Sequence, residues 1–269
     1  MASLYDCYEA LDYCKEFFVE SLKEFEISLV VLFGSATYSG CFSFETSDLD
    51  ILALTDLNED DLDAIAETIA KKVDFDESYK RPTMIRDQIG ARVEFLLPYG
   101  NIPIDCTVMS SLLPDRKSLM DTAVYDSSDV LMGAIVERGI VIVGDKTKLE
   151  TIGSQYEPYY DDELRAKRLS VLANYLQPKV ARIKELLKNN DSEVIDYFFR
   201  YRVIFLKYIF CYYRRYPINF HKHLDYQASK ILGLSKEDKS ILLMNGSSNW
   251  SDSIDGFISM YERCLSCGQ

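Results

Sequence analysis

No stretch of this 269-residue chain is apolar over the length a membrane span requires. The opening residues, Met1-Ala2-Ser3-Leu4-Tyr5-Asp6, carry neither the basic segment nor the apolar run of a secretory leader. Internal repeats and low-complexity linkers are missing as well, which sets aside solenoids and strings of tethered modules. The seven cysteines are scattered and odd in number, so reduced thiols are expected rather than a disulfide framework. Cys264 and Cys267 form a Cys-x-x-Cys, but no second pair completes a zinc site. Basic charge is in short supply: 30 Lys and Arg stand against 43 Asp and Glu, a net charge of −13. A protein that grips DNA or RNA needs Lys and Arg for the phosphates, so a nucleic-acid partner is disfavoured. An acidic surface attracts small cations instead. The expectation is a cytoplasmic protein without a membrane partner.

Hydrophobic residues make up 48% of the chain, enough for a sizeable core in one large domain or two modest ones. Leu11, Cys14, Phe18, Leu22 and Phe25 recur at three and four, predicting an amphipathic helix that ends near Phe25. Ile27–Phe33 reads as a buried strand running into Gly34-Ser35, where a helical turn opens. Leu49–Leu54 reads as a second strand, preceded by a Ser-, Gly- and Phe-rich loop. Asp48 and Asp50 are two apart at its start and so project from one face. Two carboxylates placed side by side repel unless a cation sits between them, and an all-oxygen pair suits Mg²⁺. The backbone N–H groups of a Gly-Ser turn suit a phosphate.

Further on, Leu62–Val73 carries a helical period, and Asp74–Gly90 is polar and irregular. Arg92–Leu97 and Pro103–Val108 read as a hairpin whose loop, Pro98–Ile102, is longer than two residues. On its second strand Ile104, Cys106 and Val108 share one face, leaving Asp105 and Thr107 on the other. If the hairpin pairs as its loop suggests, Glu94 lies opposite Thr107, on the face of Asp105, where it either lines an acceptor pocket or stays a surface residue beside Arg92. A helix is expected over 128–138, then a short strand, Ile140–Val143. Beyond residue 150 the strand signals stop. A long helix, bent or broken at Pro178, precedes an apolar central helix over 194–213 and three more over 222–232, 236–244 and 253–265. The domains expected are 1–148 and 149–269.

Gly34-Ser35, Asp48-Leu49-Asp50 and Asp105, each on or beside a strand and in this order, resemble the signature of the DNA polymerase beta-like nucleotidyltransferase superfamily. The two-part layout is similar to that of its antibiotic-modifying members, of the aminoglycoside and lincosamide types, although the second half carries no specific motif. The resemblance implies an α+β fold: an α/β-type N-terminal nucleotidyltransferase domain with a mixed sheet, followed by an all-α helical bundle. It implies one or two Mg²⁺ ions on Asp48, Asp50 and Asp105, with Asp105 a ligand or the base. It also implies ATP or another NTP, with its phosphates at Gly34 and Ser35. The activity implied is transfer of AMP to a hydroxyl of a small acceptor. The acidic balance points to an aminoglycoside-like amine, which would make the enzyme an antibiotic-resistance factor. A protein or nucleotide acceptor (antitoxin-type or AMPylating) and a catalytically idle nucleotide-binding module stay open, as does a homodimer. Arg215 and His221 loosely match the Arg-x(4–6)-His spacing of HEPN-type ribonucleases, but Tyr216 and Pro217 depart from it, and Arg214 and Arg215 also read as a basic turn.

Overall fold

The computed structural model describes residues 4–43, 47–75, 80–87, 90–110, 138–155 and 162–267. Among these, residues up to Gln155 form one compact unit and those from Asp162 onward a second. The fold is α+β, with a mixed sheet in the first unit and only helices in the second.

In the first unit, α1 (Leu4–Glu16) runs on into a wider turn, Phe17–Ser21, and a short 3₁₀ turn, Lys23–Phe25. Cys14, Phe18, Leu22 and Phe25 are all buried, as their spacing predicts. The strands are β1 (Ile27–Phe33), β2 (Leu49–Thr55), β3 (Thr83–Asp87), β4 (Gly90–Tyr99), β5 (Ile102–Ser110) and β6 (Ile140–Gly144). They form one sheet in the order β3-β4-β5-β2-β1-β6. The β2–β5 pair is parallel and the other pairs are antiparallel. Helix α2 (Leu62–Lys72) follows β2, and α3 (Lys146–Gln155) follows β6.

Period-two alternation divides the sheet into two faces. Val30, Ile51, Phe95 and Cys106 face one core with Cys14 and Phe18 of the N-terminal helical segment and Ile65 and Ile69 of α2. The opposite face is apolar at one end, where Leu29, Val31, Leu52 and Leu54 are buried. At its other end it carries Phe33, Asp50, Asp105, Leu96 and Glu94, all only half-buried. The candidate site therefore occupies the open end of a face whose remainder is core.

Two expectations for this unit are corrected. The hairpin loop is Gly100-Asn101 alone, because the β4–β5 ladder continues through Pro98↔Pro103 and Tyr99↔Ile102. Closing a two-residue loop makes Tyr99↔Ile102 the hydrogen-bonded pair, so by alternation the two prolines face each other where no N–H is required. The irregular stretch 74–90 contains β3, an edge strand in which the apolar Met84 and Ile85 sit side by side and give no period-two alternation. The helix expected over 128–138 lies outside the described residues except for Arg138.

In the second unit, α4 (Asp162–Lys188) runs through Pro178 as one helix and is not broken there. It packs on α5 (Glu193–Tyr212), and this contact offsets the hydrogen bond that proline forfeits. The short α6 (Leu224–Tyr226), α7 (Lys236–Leu243) and α8 (Trp250–Cys267) complete the unit. Its core is aromatic: Phe205 packs edge-on against Phe257 and Tyr261, and Tyr208 packs against Tyr261 at 4.9 Å between ring centroids. Among the described residues no helix is long and apolar enough to cross a membrane.

Burial pushes the Tyr208 hydroxyl up to about 12, with the neighbouring Cys264 and Cys211 adding to the shift, and it raises Tyr261 as well. A raised folded-state value favours the neutral form. The stability it contributes is intact below the unfolded tyrosine value of 10.0 and is lost as pH climbs toward 12. For Tyr208, 1% exposed, the loss is on the order of 3 kcal/mol. Wild-type protein should therefore lose helical circular dichroism cooperatively in this window, and Tyr208→Phe should shift the loss to higher pH. An unshifted transition in that variant would show that other groups drive it.

Candidate active site

The site is assembled by strand register. Phe33 on β1 lies beside Asp50 on β2, Asp50 beside Asp105 on β5, and Asp105 beside Leu96 on β4. Directly paired residues in a sheet point to the same face, so the two aspartates, far apart in sequence, stand next to each other. Asp48, at the mouth of β2, completes the group. One carboxylate oxygen from each of Asp48, Asp50 and Asp105 lies within 4.8 Å of the other two. This is the one cluster of metal-binding type among the described residues.

Gly34 leaves β1 with φ +69°, in the left-handed region. A methyl group at this position would overlap Oδ2 of Asp50. The glycine thus serves two needs at once: the turn requires its backbone, and the Asp50 carboxylate fills the space a side chain would occupy. The turn Gly34–Thr37 is held by the Thr37 hydroxyl, which donates to the Gly34 carbonyl at 2.9 Å, and by the Tyr38 N–H, which donates to the Ser35 carbonyl at 3.3 Å. Ser35 sits in this turn, one residue from the glycine that touches Asp50. Ahead of β2, the Ser47 N–H donates to the Ser43 carbonyl at 2.9 Å and its hydroxyl accepts from the Ser43 N–H at 3.0 Å, closing the loop that delivers Asp48.

Burial raises the pKa of Asp105; the charges of Asp48 and Glu94 add to the shift and the Lys80 ammonium opposes it. A metal ion among these oxygens would relieve that repulsion, and the all-carboxylate donor set fits a hard cation such as Mg²⁺. Glu94 stands opposite Thr107, as its strand position predicts. Both of its oxygens are already engaged: Lys80 Nζ donates to one at 2.5 Å and Arg92 Nε to the other at 2.7 Å. Burial pushes the Glu94 carboxyl up, but these two hydrogen bonds outweigh it and hold the group below the usual range. The Lys80 carbonyl in turn accepts from the Leu96 N–H at 2.9 Å, which ties the lysine to the row that contains Asp105.

Lys80 and Arg138 are site neighbours that no pattern in the sequence singles out. Lys80 falls in a polar segment without period. Arg138 ends the helix expected from the sequence, and its guanidinium lies 5.3 Å from the centroid of the Tyr38 ring, just past the Gly-Ser turn. The polar residues of the second half form a structural turn. Arg214, with φ +54°, and Arg215 cap α5 by donating backbone N–H groups to Cys211 and Phe210. Arg214 also pairs with Asp162. The buried Gln227 side chain bonds to Ile218, Asn219 and Lys222, and His221 stands exposed in the loop it secures. Arg215 and His221 are thus not spaced along one helix, which removes the geometric basis of the ribonuclease comparison. Cys264 is buried and is in no disulfide among the described residues.

No protein-family model matches this sequence, and no curated protein matches it significantly. Among solved structures, a nucleotidyltransferase-like protein from Exiguobacterium sibiricum is similar over 96% of this chain and 75% of its own, at 10% identity and a TM-score of 0.45. A likeness that distant leaves the reading of the site to its own geometry.

Proposed function

We propose that this protein is a metal-dependent nucleotidyltransferase of the cytoplasm that moves AMP from ATP to a hydroxyl of a small acceptor. The observation that carries the reading is the convergence of Asp48, Asp50 and Asp105 within 4.8 Å, beside a turn whose glycine leaves room for the Asp50 carboxylate. Mg²⁺ bound there would neutralise triphosphate charge and acidify the acceptor hydroxyl. Gly34 and Ser35 hold the phosphates with backbone N–H groups and the Ser35 hydroxyl. Asp105, on the strand farther from the turn, accepts the acceptor's proton or shares in holding the ion.

The acceptor side admits two readings. A net charge of −13 favours an amine-bearing, aminoglycoside-like molecule. The engagement of Glu94 by Lys80 and Arg92 favours a nucleotide or protein acceptor, because this carboxylate, beyond the triad on the same face, is already paired with two cations. The test is incubation with labelled NTPs and Mg²⁺ against aminoglycosides, lincosamides, nucleotides and protein, with products read by mass spectrometry. Aminoglycoside binding should weaken as salt rises, because screened charges attract less. No aminoglycoside binding at low or moderate ionic strength would remove the first acceptor. Absence of any nucleotidylated product would count against the reaction itself.

A further inference from the structure

We propose that Arg138 is a phosphate-binding residue of this site, its guanidinium holding the terminal phosphates of the bound nucleotide, the part that leaves as pyrophosphate. This rests on the nucleotidyltransferase reading and assigns it a residue outside the acidic triad and the Gly-Ser turn.

Placement is the first support. β6 begins at Ile140, which pairs with Leu32 in the antiparallel β1–β6 ladder. Two residues beyond Leu32 is Gly34, and two residues before Ile140 is Arg138. The strand pair therefore delivers the glycine turn and the arginine to the same end of the sheet. Tyr38 fixes the side chain more closely: its N–H closes the turn onto Ser35, and its buried ring lies under the guanidinium at 5.3 Å. A guanidinium resting on an aromatic face keeps its N–H edge pointing outward, a preorganised fork for phosphate oxygens.

Charge is the second support. Several cations on the sheet and its neighbours are already paired: Lys80 and Arg92 with Glu94, Arg86 with Asp63, Lys148 with Asp56. Arg138 is exposed and has no carboxylate partner among the described residues. A cation with no carboxylate partner among the described residues, set at the phosphate turn with the three carboxylates beyond, divides the site by sign. The carboxylates attract metal, and Arg138 attracts the anion that a metal alone leaves negative.

In the transfer, the acceptor oxygen forms a bond to the α-phosphorus and gives its proton to the base. The bond from that phosphorus to the α–β bridging oxygen breaks, and its electron pair leaves on pyrophosphate. Negative charge grows on the group Arg138 would hold, so the contact strengthens as the bond breaks.

The test is calorimetric titration of ATP and of inorganic pyrophosphate, each with Mg²⁺, into wild type, Arg138→Ala and Arg138→Lys. Thermal melts and Mn²⁺ titration report the fold and the triad. Arg138→Ala should bind both anions about 10- to 100-fold more weakly with Mn²⁺ affinity unchanged, and Arg138→Lys should recover part of the loss. A role confined to packing on Tyr38 would lower the melting temperature and spare pyrophosphate affinity, and that result overturns the assignment. Should Arg138→Ala fail to fold, Arg138→Lys decides alone, since wild-type affinity for both anions in that variant counts against a bidentate contact. Wild type that binds ATP as tightly as Arg138→Ala refutes Arg138 and leaves the nucleotidyltransferase reading intact. Wild type that binds neither ATP nor pyrophosphate refutes both.

Discussion

Asp50→Asn should leave a folded protein whose Mg²⁺-dependent turnover is lower by about a thousandfold or more. Asparagine has the shape of aspartate, so the packing against Gly34 and the β1–β2–β5 ladders persist. The variant loses one negative charge of the three that draw the ion together. Removing a ligand from a three-carboxylate site weakens the metal and displaces the phosphate it would orient. The checks are steady-state turnover of ATP with acceptor, Mn²⁺ affinity and a thermal melt. Wild-type turnover with unchanged Mn²⁺ binding would refute the metal assignment. A collapse of the melting temperature would instead mean that Asp50 is chiefly structural.

Gly34→Ala should reduce turnover about a hundredfold or more, for a reason separable from backbone strain. A left-handed φ costs alanine on the order of 1 kcal/mol, and this applies equally to Gly100, which has φ +54°. The two positions differ in what a methyl group meets. At Gly100 there is nothing within 4 Å, whereas at Gly34 the methyl overlaps the Asp50 carboxylate. Relief at Gly34 requires either that Asp50 swing away from Asp48 and Asp105 or that the turn shift, which carries the Ser35 N–H with it. Gly100→Ala is the control: a modest fall in melting temperature with turnover near wild type. If Gly34→Ala behaves like Gly100→Ala, the close fit of turn and carboxylate has no catalytic consequence.

The parts of the site that were legible in the sequence are those governed by local rules. Asp48 and Asp50 are two apart at a strand start, so alternation alone places them on one face. Gly34-Ser35 follows a short, β-branched apolar run that reads as a buried strand, so the turn was legible too. Cys106 between Ile104 and Val108 fixed the core face of β5 and with it the direction of Asp105. Glu94 was placed opposite Thr107 by hairpin register, although the loop is shorter than it first reads. Of its two cationic partners, Arg92 was legible as the neighbour two residues away on the same face of the strand, and Lys80 was not. Lys80 reaches it only because the chain before β3 adds to the edge of β4, through a hydrogen bond from Leu96 that no period announces.

What the sequence determined by itself was the identity of the three carboxylates and the face each one occupies, because side-chain direction along a strand is set by the pleat. What only the tertiary structure decided was that Asp50 and Asp105 stand side by side and that Arg138 lies over Tyr38 beside the turn. Both depend on which strands neighbour each other: the parallel pairing of β2 with β5 and the antiparallel pairing of β1 with β6. Those pairings join segments dozens of residues apart, and they are selected by the burial of the whole sheet against its helices rather than by any local pattern.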